Sequence, residues 1–154
     1  MNISGPQQYT LTYEANHFAV ESPSGAKNFS GGATSKLPKL NIVSRNGIPI
    51  YVGVTVQSMN SRLQFGAKAV GKGGYYGYAW RHDIPRVNLD IWCHEDAPAE
   101  NRALDMETVE AEVVYLIRSN GQWPKYQTEI HFHQSDPRHR EAAAAIAARY
   151  GITR

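Results

Sequence analysis

Apolar residues recur along this chain in two rhythms, every second position in some stretches and every third or fourth in others. The first rhythm marks half-buried strands and the second marks amphipathic helices. Residues 9–13 and 18–21 read as two short strands joined as a hairpin across residues 14–17. Residues 40–44 and 48–54 form a second such pair around Arg45-Asn46-Gly47, where Asn and Gly both tolerate the positive φ of a tight hairpin turn. Ser58 is placed to cap a helix over residues 59–70, with Leu63 and Ala67 one turn apart, and Gly71-Lys72-Gly73-Gly74 ends it. Val87, Leu89 and Ile91 alternate with Asn88, Asp90 and Trp92, which predicts another strand.

Pro98 precedes a helical stretch to residue 118, whose inward face is Val109, Val113, Leu116 and Ile117. Gly121 and Pro124 break it. Residues 128–133 alternate Ile130 and Phe132 with Glu129, His131 and His133, predicting a half-buried strand. Asp136 then Pro137 form a cap and first turn for a final helix over residues 138–150, stopped by Gly151. The expected fold class is α/β (α+β), a small, mainly antiparallel sheet flanked by helices. A hairpin and Gly/Ser-rich linker (1–36) precede a core (37–133), and a C-terminal helix (134–154) packs on the same domain.

Composition narrows the setting. At 154 residues the chain suits one domain. A mean hydropathy of −0.48 and the lack of any long apolar run argue against a membrane partner. The first residues carry neither the basic region nor the apolar core of a secretory signal. One cysteine, Cys93, leaves no intrachain disulfide framework. A cytoplasmic protein is the expectation.

Net charge is only +2, but it is unevenly distributed. From Lys36 to Arg86 eight basic residues face Asp83 alone, and from Asp90 to Glu112 eight acids face Arg102 alone. Such a chain could hold a polyanion on its basic part, with metal-binding carboxylates at the edge. A solvated surface with segregated charges gives the same pattern.

Tyr51-Val52-Gly53, Arg62-Leu63 and a later glutamate before an apolar run form the chemical constellation. Together with the Asn-Gly hairpin and Pro124-Lys125-Tyr126-Gln127, they resemble the GIY-YIG nuclease family over roughly residues 37–132. In that family a first strand carries Gly-Ile-Tyr and a second carries Tyr-Ile-Gly or Tyr-Val-Gly. A helix arginine follows, and a glutamate on a later helix binds a divalent ion. Counting back from Gly53, the first motif falls on Pro38-Lys39-Leu40, so its tyrosine is Leu40 here. Gln127 stands where the terminal element carries asparagine.

The resemblance implies a metal-dependent endonuclease that hydrolyses phosphodiester bonds in DNA. Mg²⁺ is the expected ion, with Mn²⁺ as a substitute, and no nucleotide cofactor is implied. A homodimer is one route to specificity. Tyr51 is a candidate to orient or deprotonate water, and Arg62 to hold nonbridging oxygens with its planar fork of donors. Glu107, Glu110 and Glu112 compete for the metal. Helical periodicity does not choose between Glu110 and Glu112, while spacing to Pro124 resembles the family better for Glu112, with Glu110 the alternative. One carboxylate suits Mg²⁺, which keeps several waters and completes its shell with substrate phosphate.

His82 and Tyr76 are the auxiliary catalytic candidates, the first as a proton shuttle and the second in place of the missing phenol. Lys72, Arg81 and Gln127 are expected nucleic-acid contacts. A module that kept the scaffold, bound nucleic acid and lost cleavage is the rival reading, consistent with Leu40. A zinc site built on His131 and His133 with Glu129, Cys93 or His94 is a weaker one, because the spacing matches no compact zinc signature.

Overall fold

The computed structural model describes residues 1–14, 17–68, 79–127 and 129–153, with only the backbone at 67, 68 and 82. Its strands are β1 (Ile3–Glu14), β2 (His17–Glu21), β3 (Lys39–Arg45), β4 (Ile48–Thr55) and β5 (Arg86–His94). Its α-helices are α1 (Met59–Lys68), α2 (Leu104–Ser119) and α3 (Pro137–Ala148). All ladders are antiparallel, in the order β2-β1-β5-β3-β4. The fold is therefore a small mixed α/β one, a five-stranded antiparallel sheet flanked by three helices.

Strand alternation divides the interior into two cores. Val43, Tyr51, Leu89 and Ile91 face one side, where Met59 and Leu63 of α1 join them. Leu40, Ile42, Val52 and Trp92 face the other, against Val109, Val113 and Ile117 of α2 and Ile146 of α3. A residue slipped by one in register would exchange these faces, so burial on both sides locks the pairing.

The turn between β3 and β4 uses positive φ at both Asn46 and Gly47, as the Asn-Gly signal requires. The N-terminal hairpin belongs to the same sheet, because β1 pairs with β5 from Ile3↔His94 to Thr12↔Arg86. Ser58 caps α1 by accepting from the Ser61 N–H (3.3 Å). Asp136 caps α3 by accepting from the Arg138 N–H (2.8 Å), with Pro137 following as the first helical residue.

Two expected elements differ. Helix α2 starts at Leu104 rather than just after Pro98, because residues 99–103 form turns and Asn101 takes a left-handed φ of 49°. Residues 129–133 form no strand. The edge of β4 that could pair with them is already engaged by Tyr126, whose N–H reaches Ile50 O (2.9 Å), and by the Gln127 side chain. Phe132 is consequently 79% exposed, and its alternation with polar neighbours has no sheet behind it. No described helix is long and apolar enough to cross a membrane.

Candidate functional site

A cleft of about 900 Å³ wraps the free end of edge strand β4 and draws on both sides of the sheet. Strand β4 supplies Tyr51 and Gly53, and α1 supplies Arg62 and Phe65. From the opposite side, α2 contributes Glu107 and Glu110, and the chain after it contributes Lys125 and Gln127.

Tyr51 and Gly53 point to the same face because they are two apart on a strand. The Tyr51 ring lies across the glycine. A β-carbon at position 53 would collide with the phenolic oxygen and stand 2.7 Å from Cζ and 2.8 Å from Cε1. Glycine is thus the residue that lets the phenol occupy this position. Opposite Gly53 on β3, Asn41 Nδ2 donates to Gly53 O (3.1 Å), while its buried Oδ1 has no protein partner among the described residues.

Arg62 sits half-buried on the first turns of α1, behind the Ser58 cap. Helical spacing places Phe65 three residues on, on the same side of the helix. Phe65 is 59% exposed although it lines the cleft.

Glu110 is strongly perturbed within the cleft. It is only 4% exposed, and desolvation and the Glu107 charge are the influences on its carboxyl, with no hydrogen bond or cation among them. Burial raises its pKa from 4.5 to about 8, and the neighbouring Glu107 charge adds to the rise. Glu107 itself is held by His133, whose Nε2 lies 2.8 Å from its Oε2.

The expected site residues divide clearly. Tyr51, Arg62 and Glu110 line one cleft. Glu112, the family-spacing choice, lines a separate concavity with Tyr115, Ser119 and Arg140. Two residues is about 200° of helix, so Glu110 and Glu112 cannot face the same neighbour. Gln127 lines the cleft, but its amide is committed to the backbone, accepting from the Val52 N–H (2.9 Å) and donating to Val52 O (2.7 Å). It acts as a one-residue strand on the edge of β4 rather than as a free contact. Arg81 is half-buried on a short 3-10 helix, Ala79–His82, and is not among the cleft residues. Lys72, Tyr76 and the side chain of His82 lie outside the described residues.

Leu40 is fully buried against α2, on the face away from Tyr51. Its neighbour Lys39 takes the opposite side, buried, with Nζ donating to Ser35 O (2.7 Å) and Leu37 O (2.6 Å). Desolvation holds the Lys39 pKa down at about 8.

Of the residues considered for zinc, Glu129 and His131 line the cleft, and the others lie apart from them. His133 is on Glu107, Cys93 is near Ser35, and His94 faces Asp96. Among the described residues no three His, Cys, Asp or Glu side chains converge as a metal cage. Sequence reasoning overlooked Lys125, Phe65 and Asn41. Asn41 alone carried a signal, as a polar residue between Leu40 and Ile42 in a predicted strand.

Compared with protein-family models, curated proteins and solved structures, the chain gives no significant match.

Proposed function

We propose that the protein is a metal-dependent endonuclease that hydrolyses phosphodiester bonds in DNA at the cleft around β4. The observation that carries this reading is the shared cleft of Tyr51, Arg62 and a buried Glu110 with no hydrogen bond or cation among the influences on its carboxyl. Phosphodiester hydrolysis needs a positioned water, positive charge for the phosphoryl oxygens and relief of charge on the leaving oxygen.

The donor set fits a hard divalent ion. Glu110 offers a carboxylate whose burial is unfavourable until a cation compensates it, and an open cleft leaves room for the waters such an ion retains. Glu110 would hold the ion, and Mg²⁺ bound there would supply charge neutralisation at the phosphoryl group. Arg62 grips nonbridging oxygens through its guanidinium fork. The phenol of Tyr51, laid over Gly53, orients a water for attack. Gln127 keeps the strand that carries Tyr51 fixed, because both of its amide contacts are to the peptide groups of Val52.

Glu110, rather than Glu112, is the metal residue in this reading, since it shares the cleft with the other two. The test is Mg²⁺-dependent cleavage of linear and supercoiled DNA by the wild type, Arg62→Ala, Glu110→Gln and Glu112→Gln. Loss of cutting in the first two variants, with folding retained and Glu112→Gln active, is the expected result. Absence of Mg²⁺-dependent cutting by the wild type rejects the reading. A second reading, a DNA-binding module without cleavage, draws on one observation: Leu40 is buried beneath α2 and brings no second phenol to the cleft. It predicts salt-sensitive DNA binding that survives Glu110→Gln and no cutting by any form.

A further inference from the structure

Helix α2 brings a second carboxylate to the cleft beside Glu110. Glu107 and Glu110 are three residues apart, so they share a side of the helix with β-carbons about 5–6 Å apart. Both line the cleft. Like charges at that spacing repel, and the burial of Glu110 strengthens the repulsion by excluding water. Burial and the Glu107 charge are the influences on the Glu110 carboxyl, and no cation offsets them. Lys125 lines the same cleft, but its ammonium lies over the Tyr126 ring, 5.2 Å from the centroid.

Glu107 is already engaged, and the way it is engaged matters. His133 Nε2 lies 2.8 Å from Glu107 Oε2, and the imidazole N–H donates, because an ionised carboxylate only accepts. His133 is not itself among the cleft residues. The contact commits one oxygen of Glu107 and restrains the rotation of its side chain, while the second oxygen keeps its accepting capacity. Ligating carboxylates are commonly hydrogen-bonded in this manner by a neighbour that fixes their orientation. Helix stability does not call for such a restraint, since the N-terminal turn of α2 favours an acid at position 107 on its own account.

The geometry points to Glu107 as a second ligand beside Glu110 for one divalent ion of the Mg²⁺ class, with His133 as the positioning residue that orients Glu107. This rests on the metal-dependent reading of the same cleft and names the ligand pair. The summed charge of two carboxylates matches that of the ion. Two such ligands suit a hard cation that keeps several waters and takes substrate phosphate into its shell. They are too few for a closed zinc cage, in keeping with the lack of three converging ligands among the described residues.

The experiment reads ion binding without DNA, so that it stands apart from cutting. The whole chain is titrated with Mn²⁺, whose free-ion EPR signal falls on binding, and Mg²⁺ is then added as a competitor. Glu110→Gln should abolish uptake. Glu107→Gln should weaken it by at least about tenfold, and His133→Ala by about tenfold, the usual cost of losing a group that orients a ligand. His133→Gln, which can donate from its own Nε2, should restore most of the affinity, a rescue that a merely structural role would not produce. Glu112→Gln should bind as the wild type does. Far-UV circular dichroism checks that each variant is folded.

Wild-type uptake by folded Glu107→Gln overturns the ligand assignment, and equal uptake by His133→Ala and the wild type overturns the positioning role. If the wild type nevertheless cuts DNA with Mg²⁺, the nuclease reading stands without them. If the variants behave as expected and no form cuts DNA, the nuclease reading falls and the ligand pair stands. Absence of Mn²⁺ uptake by the wild type overturns the ligand pair.

Discussion

Replacing Glu110 with glutamine should make the metal-free protein more stable at alkaline pH while abolishing the proposed cleavage. The carboxyl is 4% exposed, and its pKa rises from 4.5 to about 8 on folding, chiefly through burial and secondarily through Glu107. A raised carboxyl pKa means that the folded protein keeps a proton where the unfolded chain has released it. Folding stability from this group is therefore fully present below about pH 4.5, falls as pH rises towards 8, and levels off above that.

At about 1.4 kcal/mol per unit, the rise is worth at most about 5 kcal/mol. Water entering the open cleft relaxes around the charge, so a measured loss of about 2–3 kcal/mol is the expectation. Glutamine has the same shape and never ionises. Urea unfolding in EDTA, at intervals from pH 5 to 9, should show a downward slope in the wild type that Glu110→Gln lacks. At pH 9 the variant should be the more stable protein. Adding Mg²⁺ at pH 9 should stabilise the wild type by binding the folded state and leave the variant unmoved. Identical slopes in the two proteins, or a variant less stable at pH 9, would refute the account of Glu110 as an uncompensated buried carboxylate.

Gly53→Ala should displace the Tyr51 ring, costing about 1–3 kcal/mol in stability through overpacking and lowering cleavage; unchanged cleavage would mean that the position of the phenol does not matter. Gln127→Ala removes both contacts to the Val52 peptide, so stability should drop by about 1–3 kcal/mol. Faster amide hydrogen exchange at Val52 is the specific readout. Lys39 has a folded pKa of about 8 against the usual 10.5, so the unfolded chain holds more protons between those values. Stability from this group should rise with pH across that window by no more than about 3 kcal/mol, and Lys39→Met should remove the slope in alkaline denaturation curves.

Legibility varied from element to element for definite reasons. The β3/β4 turn was readable because Asn46-Gly47 has few other uses between two apolar runs. Helix α3 was readable because Asp136-Pro137 both caps and starts a helix. The stretch at 129–133 misled because alternation records a preference for two faces but cannot say whether a sheet edge is open to receive it. Here the edge of β4 is occupied by Tyr126 and Gln127, which are near neighbours in sequence of the segment they exclude.

Glu110 and Glu112 show the same limit at the candidate site. Both flank the apolar face of α2, and counting along the helix did not separate them. Their positions relative to β4 did, since only Glu110 shares a cleft with Tyr51 and Arg62. Likewise, the glutamine at 127 looked like an available contact until its two amide atoms were found on the backbone of Val52.

By itself the sequence determined the five strands, the cores of the three helices, the hairpin geometry at Asn46-Gly47 and the supply of an arginine, a tyrosine and several glutamates, because these follow from local sterics and from periodicity. Tertiary structure alone decided which carboxylate loses its water, which amide is used up on an edge strand and which aromatic ring stays exposed. Those outcomes depend on neighbours tens of residues away, and desolvation and hydrogen bonding are set by what surrounds a group in space.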